Sequence, residues 1–369
     1  MRKWFAILCS VLLLSAVPLP VSAEQQPAVL LIEANTGCIL SEESADVIVQ
    51  PGSFSKLMTA LLTAQAMERG ELTADTLLTA GESVRGMRGA VIWLEPGDSL
   101  RTEELLTALL VGNAGDAAAV LADSISGSAE QFVMDMNAAA FDLGMRDTHF
   151  TSPQGFDDPG SFTTAHDLGL LACAVLRCGL LTSYLTTWRT FVKDGAVELV
   201  NENSLTRTYD GCRGVKASHA DGRYSLIAAA QRNGMLLCAV VLDCGDSDQR
   251  FSLAKELLKK GFSGYKLSAP GYSEEFLLPL RVRGGTEQAV LLQLSQLPVL
   301  AVPQKAELSS VTVLPEFRQA PVLKGTKVGQ VYFYHEDTLL AEAELVAADD
   351  VREMRFADAW AKMRHFLFS

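Results

Sequence analysis

Apolar and polar positions along the chain fall into four textures. Residues 4–17 form a largely apolar stretch behind Arg2 and Lys3, closed by the small residues Val21-Ser22-Ala23. That order predicts a leader over 1–23, cleaved to expose Glu24, and the run is short for a membrane span. Elements of mixed period follow. Residues 28–32 predict a strand, 33–37 a turn and 38–40 a return strand. Pro51-Gly52 ends one segment, and an apolar run of good helix formers up to Met67 predicts a helix. Thr102 is placed to cap a second helix over 105–111, with Glu103 and Glu104 in its first turn. Residues 224–230 and 235–242 read as two strands joined at Asn233-Gly234, a strong hairpin signal.

From about Gly271 short strands alternate with turns, at 276–280, 289–294, 299–302, 311–314, 328–334 and 339–345, which predicts a small all-β domain. The last segment, 351–368, carries Phe356, Trp360, Met363 and Leu367 on one helical stripe, with Arg352, Arg355, Lys362 and Arg364 around it. Such a helix either lies on a membrane surface or packs inward on the β domain.

A hydrophobic content of 49% and a charged content of 20% over 369 residues describe a globular chain of two or three domains. The net charge is −13, and loss of Arg2 and Lys3 makes it more acidic, which argues against nucleic acid as a partner. Of seven cysteines, Cys9 lies in the leader. Disulfides are permitted among the other six, but Cys173 and Cys238 sit in apolar runs and read as core thiols. No Cys-x-x-Cys or His-x-x-x-His spacing occurs, so neither a metal nor another cofactor is expected. The histidines at 149 and 166 read as turn or cap residues.

The candidate chemistry begins at Ser53. It stands at the predicted helix start, with Lys56 one turn on and on the same face. A serine hydroxyl becomes a nucleophile when a neighbour takes its proton, and a lysine of lowered pKa can do so. The spacing alone is weak. Ser263-Gly264-Tyr265-Lys266 repeats it without a following helix, and Ser53 could be only a cap beside a surface lysine.

Several further segments occur in an order that resembles one family. The hairpin with Asn35-Thr36-Gly37 precedes Pro51-Gly52-Ser53-Phe54-Ser55-Lys56-Leu57-Met58-Thr59; Trp93-Leu94-Glu95-Pro96-Gly97-Asp98 precedes the second helix; Thr148-His149-Phe150 with Pro153-Gln154-Gly155, Thr163-Thr164-Ala165-His166-Asp167 and Asn201-Glu202-Asn203-Ser204-Leu205 follow. Together they resemble the D-alanyl-D-alanine carboxypeptidases, the low-molecular-mass penicillin-binding proteins, over roughly residues 27–262. The resemblance implies an α/β fold. A β-lactamase/transpeptidase-like catalytic domain over 24–265, an antiparallel sheet flanked by helices, would be followed by the all-β domain over 270–348 and the amphipathic helix over 350–369. It implies export to the cell envelope and a peptidoglycan stem peptide ending in D-Ala-D-Ala as substrate. β-lactams would act as acylating inhibitors, and the last helix would meet the membrane surface. Ser53 would be the nucleophile and Lys56 its base.

Two of the family's three motifs are altered. Where Ser-x-Asn is expected, the ungapped alignment places Asn113 at the serine and Gly115 at the asparagine. An amide hydrogen-bonds but does not readily pass a proton, and general acid–base help is typically worth ~10²–10⁴ in rate. Where Lys-Thr/Ser-Gly is expected, the chain has Lys216-Ala217-Ser218, followed by His219. Lys216 would keep the charge for a substrate carboxylate, Ala217 removes a hydroxyl, and Ser218 adds a side chain where glycine allows close approach. The backbone N–H groups of Ser53 and His219 would form the oxyanion hole. The chain is therefore expected to be an active carboxypeptidase, a relative that acylates on another ester, amide or β-lactam, or a cell-wall binding or scaffolding protein with a vestigial site.

Overall fold

The computed structural model describes residues 26–156, 158–270 and 278–368. The leader expected over 1–23, and the start of the strand expected at 276, lie outside these residues. The described chain opens with β1 (Ala28–Glu33) and β2 (Cys38–Glu43), the hairpin expected from the sequence. A single turn of 3-10 helix at Gly52–Phe54 leads into α1 (Ser55–Glu68). Next come α2 (Thr102–Leu110), α3 (Gly115–Ser126), α4 (Ala129–Asp142) and α5 (Ala165–Arg177). Then β3 (Cys212–Ala220), β4 (Arg223–Arg232) and β5 (Met235–Cys244) precede α6 (Ser247–Gly264).

The five strands make one antiparallel sheet in the order β2-β1-β5-β4-β3. Both faces are covered, and the alternation along β1 shows how. Leu30 and Ile32 join the core made with α1, α3 and α5, whereas Leu31 joins Leu257 and Leu258 of α6 on the other face. β5 runs through the middle and is apolar on both sides, with Leu237 to Val241 all buried. The order leaves β3 outermost, beside the start of α1, and its pairing with β4 sets Lys216 opposite Ile227 and Ser218 opposite Ser225.

Thr102 is not the cap of α2. It is the first helical residue, Arg101 holds the extended cap position, and the buried Thr102 hydroxyl donates to the Thr76 carbonyl across 3.1 Å. Ser263 lies in the last turn of α6 and Lys266 in a strand over Tyr265–Ser268, so the second Ser-x-x-Lys spacing spans a break between elements.

That strand pairs with Leu300–Pro303 and ties the α/β part to a smaller all-β part. There β6 (Leu292–Leu294), β7 (Leu308–Val313), β8 (Lys327–His335) and β9 (Thr338–Ala347) form a sheet ordered β6-β9-β8-β7. It has its own core of Val331, Phe333 and Leu345. Lys324-Gly325 is a turn with glycine at φ +80°. The last helix, α7 (Phe356–Phe368), starts later than residue 351. Val351 is held by the β domain, where it bridges Val322 and is buried, so the helix begins only after that contact. The helical stripe faces outward: Phe356 is 85% exposed and Trp360 57%. Among the described residues no single helix is long and apolar enough to cross a membrane. Among the described residues the six cysteines are free; Cys173, Cys238 and Cys244 are buried and the others half-buried.

Candidate active site

The sequence positions Ser53 by anchoring what surrounds it. The Phe54 N–H donates to the Pro51 carbonyl, and Phe54, Leu57 and Met58 are buried, which pins the turn and the first turn of α1. Just before the turn, Val49 exchanges two backbone hydrogen bonds with Thr163. The loop 152–156 docks on the other side of α1, where the Thr59 hydroxyl donates to the Pro153 carbonyl at 2.9 Å and Lys56 Nζ donates to the Gln154 carbonyl at 2.6 Å. Gly155 closes this contact. Its φ is +71°, and a Cβ there would lie 1.9 Å from the Gly52 carbonyl oxygen, so no other residue fits.

Asn113 reaches the same point from the turn between α2 and α3. Its φ is +57°, a left-handed conformation that asparagine tolerates better than most residues. Its Nδ2 donates to Ser53 Oγ at 3.1 Å, while its Oδ1 is buried with no protein partner. Asn113 is thus the residue of this turn that reaches the Ser53 hydroxyl. Gly115 lies where a side chain would meet Met87 Sδ at 3.2 Å, the Ala90 carbonyl at 3.6 Å and Gln154 Cγ at 3.8 Å. Met87 and Gln154 occupy the space that a larger residue would need. The buried Asp116 holds this rim, its carboxylate accepting from the N–H groups of Ile92, Leu94 and Ala117.

Ser53, Lys56, Asn113, Gly115 and His219 line one cleft of about 370 Å³ with Gln154, Gly155, Phe156, Arg88 and Glu202. Lys56 is 6% exposed, and burial lowers its pKa from 10.5 to about 8 against an opposing pull from Glu202. Lys216 is also buried; its Nζ donates to the Leu109 carbonyl at 3.2 Å. Burial, and then the charge of Lys56, bring it to about 7. Ala217 does not reach the cleft. It lies on the opposite face of β3, in the core with Leu226 and Leu257. Ser218 does face the start of α1, and its Oγ accepts from the Ser53 N–H at 3.3 Å.

Three participants had no role assigned from the sequence. Glu202 stands between Asn201 and Asn203, whose side chains accept from the N–H groups of Asn203 and Leu205 and knit the turn. That leaves Glu202 turned to the cleft, 3.6 Å from His219 Nδ1. A carboxylate between two buried asparagines just before β3 was the available signal. Gln154 acts on Lys56 through its carbonyl, which no side-chain pattern reveals. Arg250 of α6 donates to the Ser218 and Ser225 carbonyls and so holds the end of β3 from behind. His149 and His166 stay structural, the first in a bridge with Phe162, the second beside Asp167 in the first turn of α5.

A hydroxyl at a helix start, a buried amine of lowered pKa and main-chain donors at a strand edge can together support acyl transfer on serine. Residues 17–246 match the family model for D-alanyl-D-alanine carboxypeptidase, and residues 276–353 match that for the C-terminal domain of penicillin-binding protein 5. The chain belongs to the D-alanyl-D-alanine carboxypeptidase family. It is 27% identical over 342 residues to the D-alanyl-D-alanine carboxypeptidase DacF of Bacillus subtilis, covering 90% of this chain and 88% of that one. It is 28% identical to DacC of Escherichia coli over 338 residues, covering 89% and 84%. Penicillin-binding protein 5 of Haemophilus influenzae superposes with a TM-score of 0.80 at 26% identity, over 88% of this chain and 97% of that one. The ampicillin-bound penicillin-binding protein D2 of Listeria monocytogenes aligns with a TM-score of 0.58 at 28% identity, over 64% and 96%.

Proposed function

We propose that the protein is an exported serine carboxypeptidase that removes the terminal D-alanine from peptidoglycan stem peptides through an acyl-enzyme on Ser53. The observation that carries this reading is the buried Lys56, one turn from Ser53 in the same cleft, with its ammonium form disfavoured. Ser53 Oγ attacks the carbonyl between the two D-alanines and its proton passes to Lys56. The N–H groups of Ser53 and His219 receive the oxyanion. The amine of the departing D-alanine takes the proton, and water then hydrolyses the ester to release the shortened peptide and restore Ser53. Asn113 orients Oγ but passes no proton, so Lys56 serves both transfers. Lys216 draws the substrate's carboxylate when protonated. β-lactams, seen bound to the Listeria relative, acylate Ser53 in the same way. The catalytic unit spans 24–265 and the β unit 270–348, and α7, which begins at Phe356, is the membrane-facing helix. The exposed stripe of α7 supports peripheral attachment to the outer face of the membrane.

Asn113 at the relay position favours a second reading, in which the protein holds cell-wall peptides without turning them over. Incubation with a fluorescent penicillin, beside Ser53→Ala and read by intact mass, separates the two. A stable adduct on the wild type alone, followed by D-alanine release from a pentapeptide, is the expected result. No adduct on a folded protein would leave the binding reading.

A further inference from the structure

The main-chain N–H of Ser53 is already in use. It points at Ser218 Oγ, 3.3 Å away, and Ser218 is only 6% exposed. Side chains at 216 and 218 share one face of β3, turned toward the start of α1. The fit is close on that side: a Cβ added at Gly52 would lie 3.2 Å from the Ser218 oxygen. The Ser53 N–H belongs to the first turn of a helical segment, where such donors have no intrahelical acceptor and the helix dipole favours an electronegative atom.

Attack by Ser53 Oγ creates negative charge on the acyl oxygen, and the stabilising donors must lie about 3 Å from that oxygen. The nucleophile's own N–H is one of them. A single N–H makes one good hydrogen bond at a time, so an entering acyl oxygen and the Ser218 hydroxyl compete for it.

We infer that the Ser218 hydroxyl is a built-in occupant of the oxyanion position that an acyl donor must displace, and that it restrains acylation of Ser53. The inference rests on Ser53 being the nucleophile. Ser218 touches the donor and not the reacting oxygen, so it acts as a positioning residue. Displacing one neutral hydrogen bond corresponds to roughly a tenfold change in rate.

The test uses the mature protein with Ser218→Ala and Ser218→Gly. The first readout needs no turnover: the Ser53 amide proton, observed by ¹⁵N NMR, should move upfield and exchange faster in Ser218→Ala. The second is the acylation rate with a fluorescent penicillin, expected to rise roughly tenfold in both variants at unchanged melting temperature. A merely structural cap would give a lower melting temperature and no gain in rate. An unmoved Ser53 amide overturns the inference. So does acylation no faster than wild type, including a slower rate, which would mean that the hydroxyl helps to hold the oxyanion. Wild-type acylation without any gain in the variants sinks this inference alone. Acylation confined to the variants supports it and removes the resting carboxypeptidase activity. No labelling of any of the three overturns both.

Discussion

Asn113 and Ser53, sixty positions apart in sequence, share a hydrogen bond in which the amide donates and the serine oxygen accepts across 3.1 Å. The contact holds the Ser53 side chain while offering its hydroxyl no route for a proton. Replacing Asn113 by Ser restores a group able to pass one, and release of D-alanine is expected to rise by up to ~10²-fold. Serine at φ +57° costs about 1 kcal/mol, so the variant should also melt a few degrees lower. Steady-state kinetics on a pentapeptide beside a thermal melt checks both; an unchanged kcat would mean that the relay is not what limits turnover.

The two buried lysines predict a pH profile that depends on the substrate. In the proposed mechanism neutral Lys56 is the base, and its share grows as pH rises through about 8. In the same proposal charged Lys216 attracts a terminal carboxylate, and its share falls as pH rises through about 7. A carboxylate-ended peptide should give a bell-shaped kcat/KM with its maximum between these values, whereas a neutral ester should give a single rise through about 8. The same bell for both donors would remove Lys216 from carboxylate binding. Stability follows the opposite logic to a gained ion pair. The unfolded chain keeps both ammonium groups to higher pH and binds more protons, so stability rises with pH above about 7, and Lys56→Met should flatten that slope.

Asp116 supports the rim of the cleft from beneath. Asp116→Ala leaves the N–H groups of Ile92 and Leu94 without their acceptor, and a loss of roughly 3 kcal/mol in urea unfolding is expected. A loss under 1 kcal/mol would show that water replaces the carboxylate.

Gly155 and Gly52 are in backbone contact, so Gly155→Ala has to push the turn that carries Ser53. Displacement of about 1 Å typically costs ~10² in rate. Penicillin labelling should fall by that order while circular dichroism stays native; labelling at the wild-type rate would show that loop 152–156 gives way instead.

Much of the fold was legible. Pro51-Gly52 and Asn233-Gly234 punctuate the chain where the structure turns, and apolar periodicity placed α1, β4 and β5 to within a few residues. Contacts between distant segments were not. The Gln154 carbonyl on Lys56 and the Ser218 hydroxyl on Ser53 depend on how loop 152–156 and β3 pack against α1, which no local pattern encodes. Ala217 is a different case. Alternation along a strand already separates it from Lys216 and Ser218, and reading the three as one motif hid that its side chain belongs to the core. The start of α7 was misplaced because the residues from Val351 on were read as one helical run, whereas Val351 is claimed by the β domain.

The outermost position of β3 has one more consequence. Its main-chain groups pair with β4 on one side only, and the cleft meets the strand at His219. A peptide lying there extended would add to the sheet as a sixth strand, read through its backbone before any side chain is consulted. The hydroxyls missing at 113 and 217 leave that row of donors and acceptors untouched. Grip and scission are thus written in different parts of the molecule, and a lineage could lose the second while the first persists.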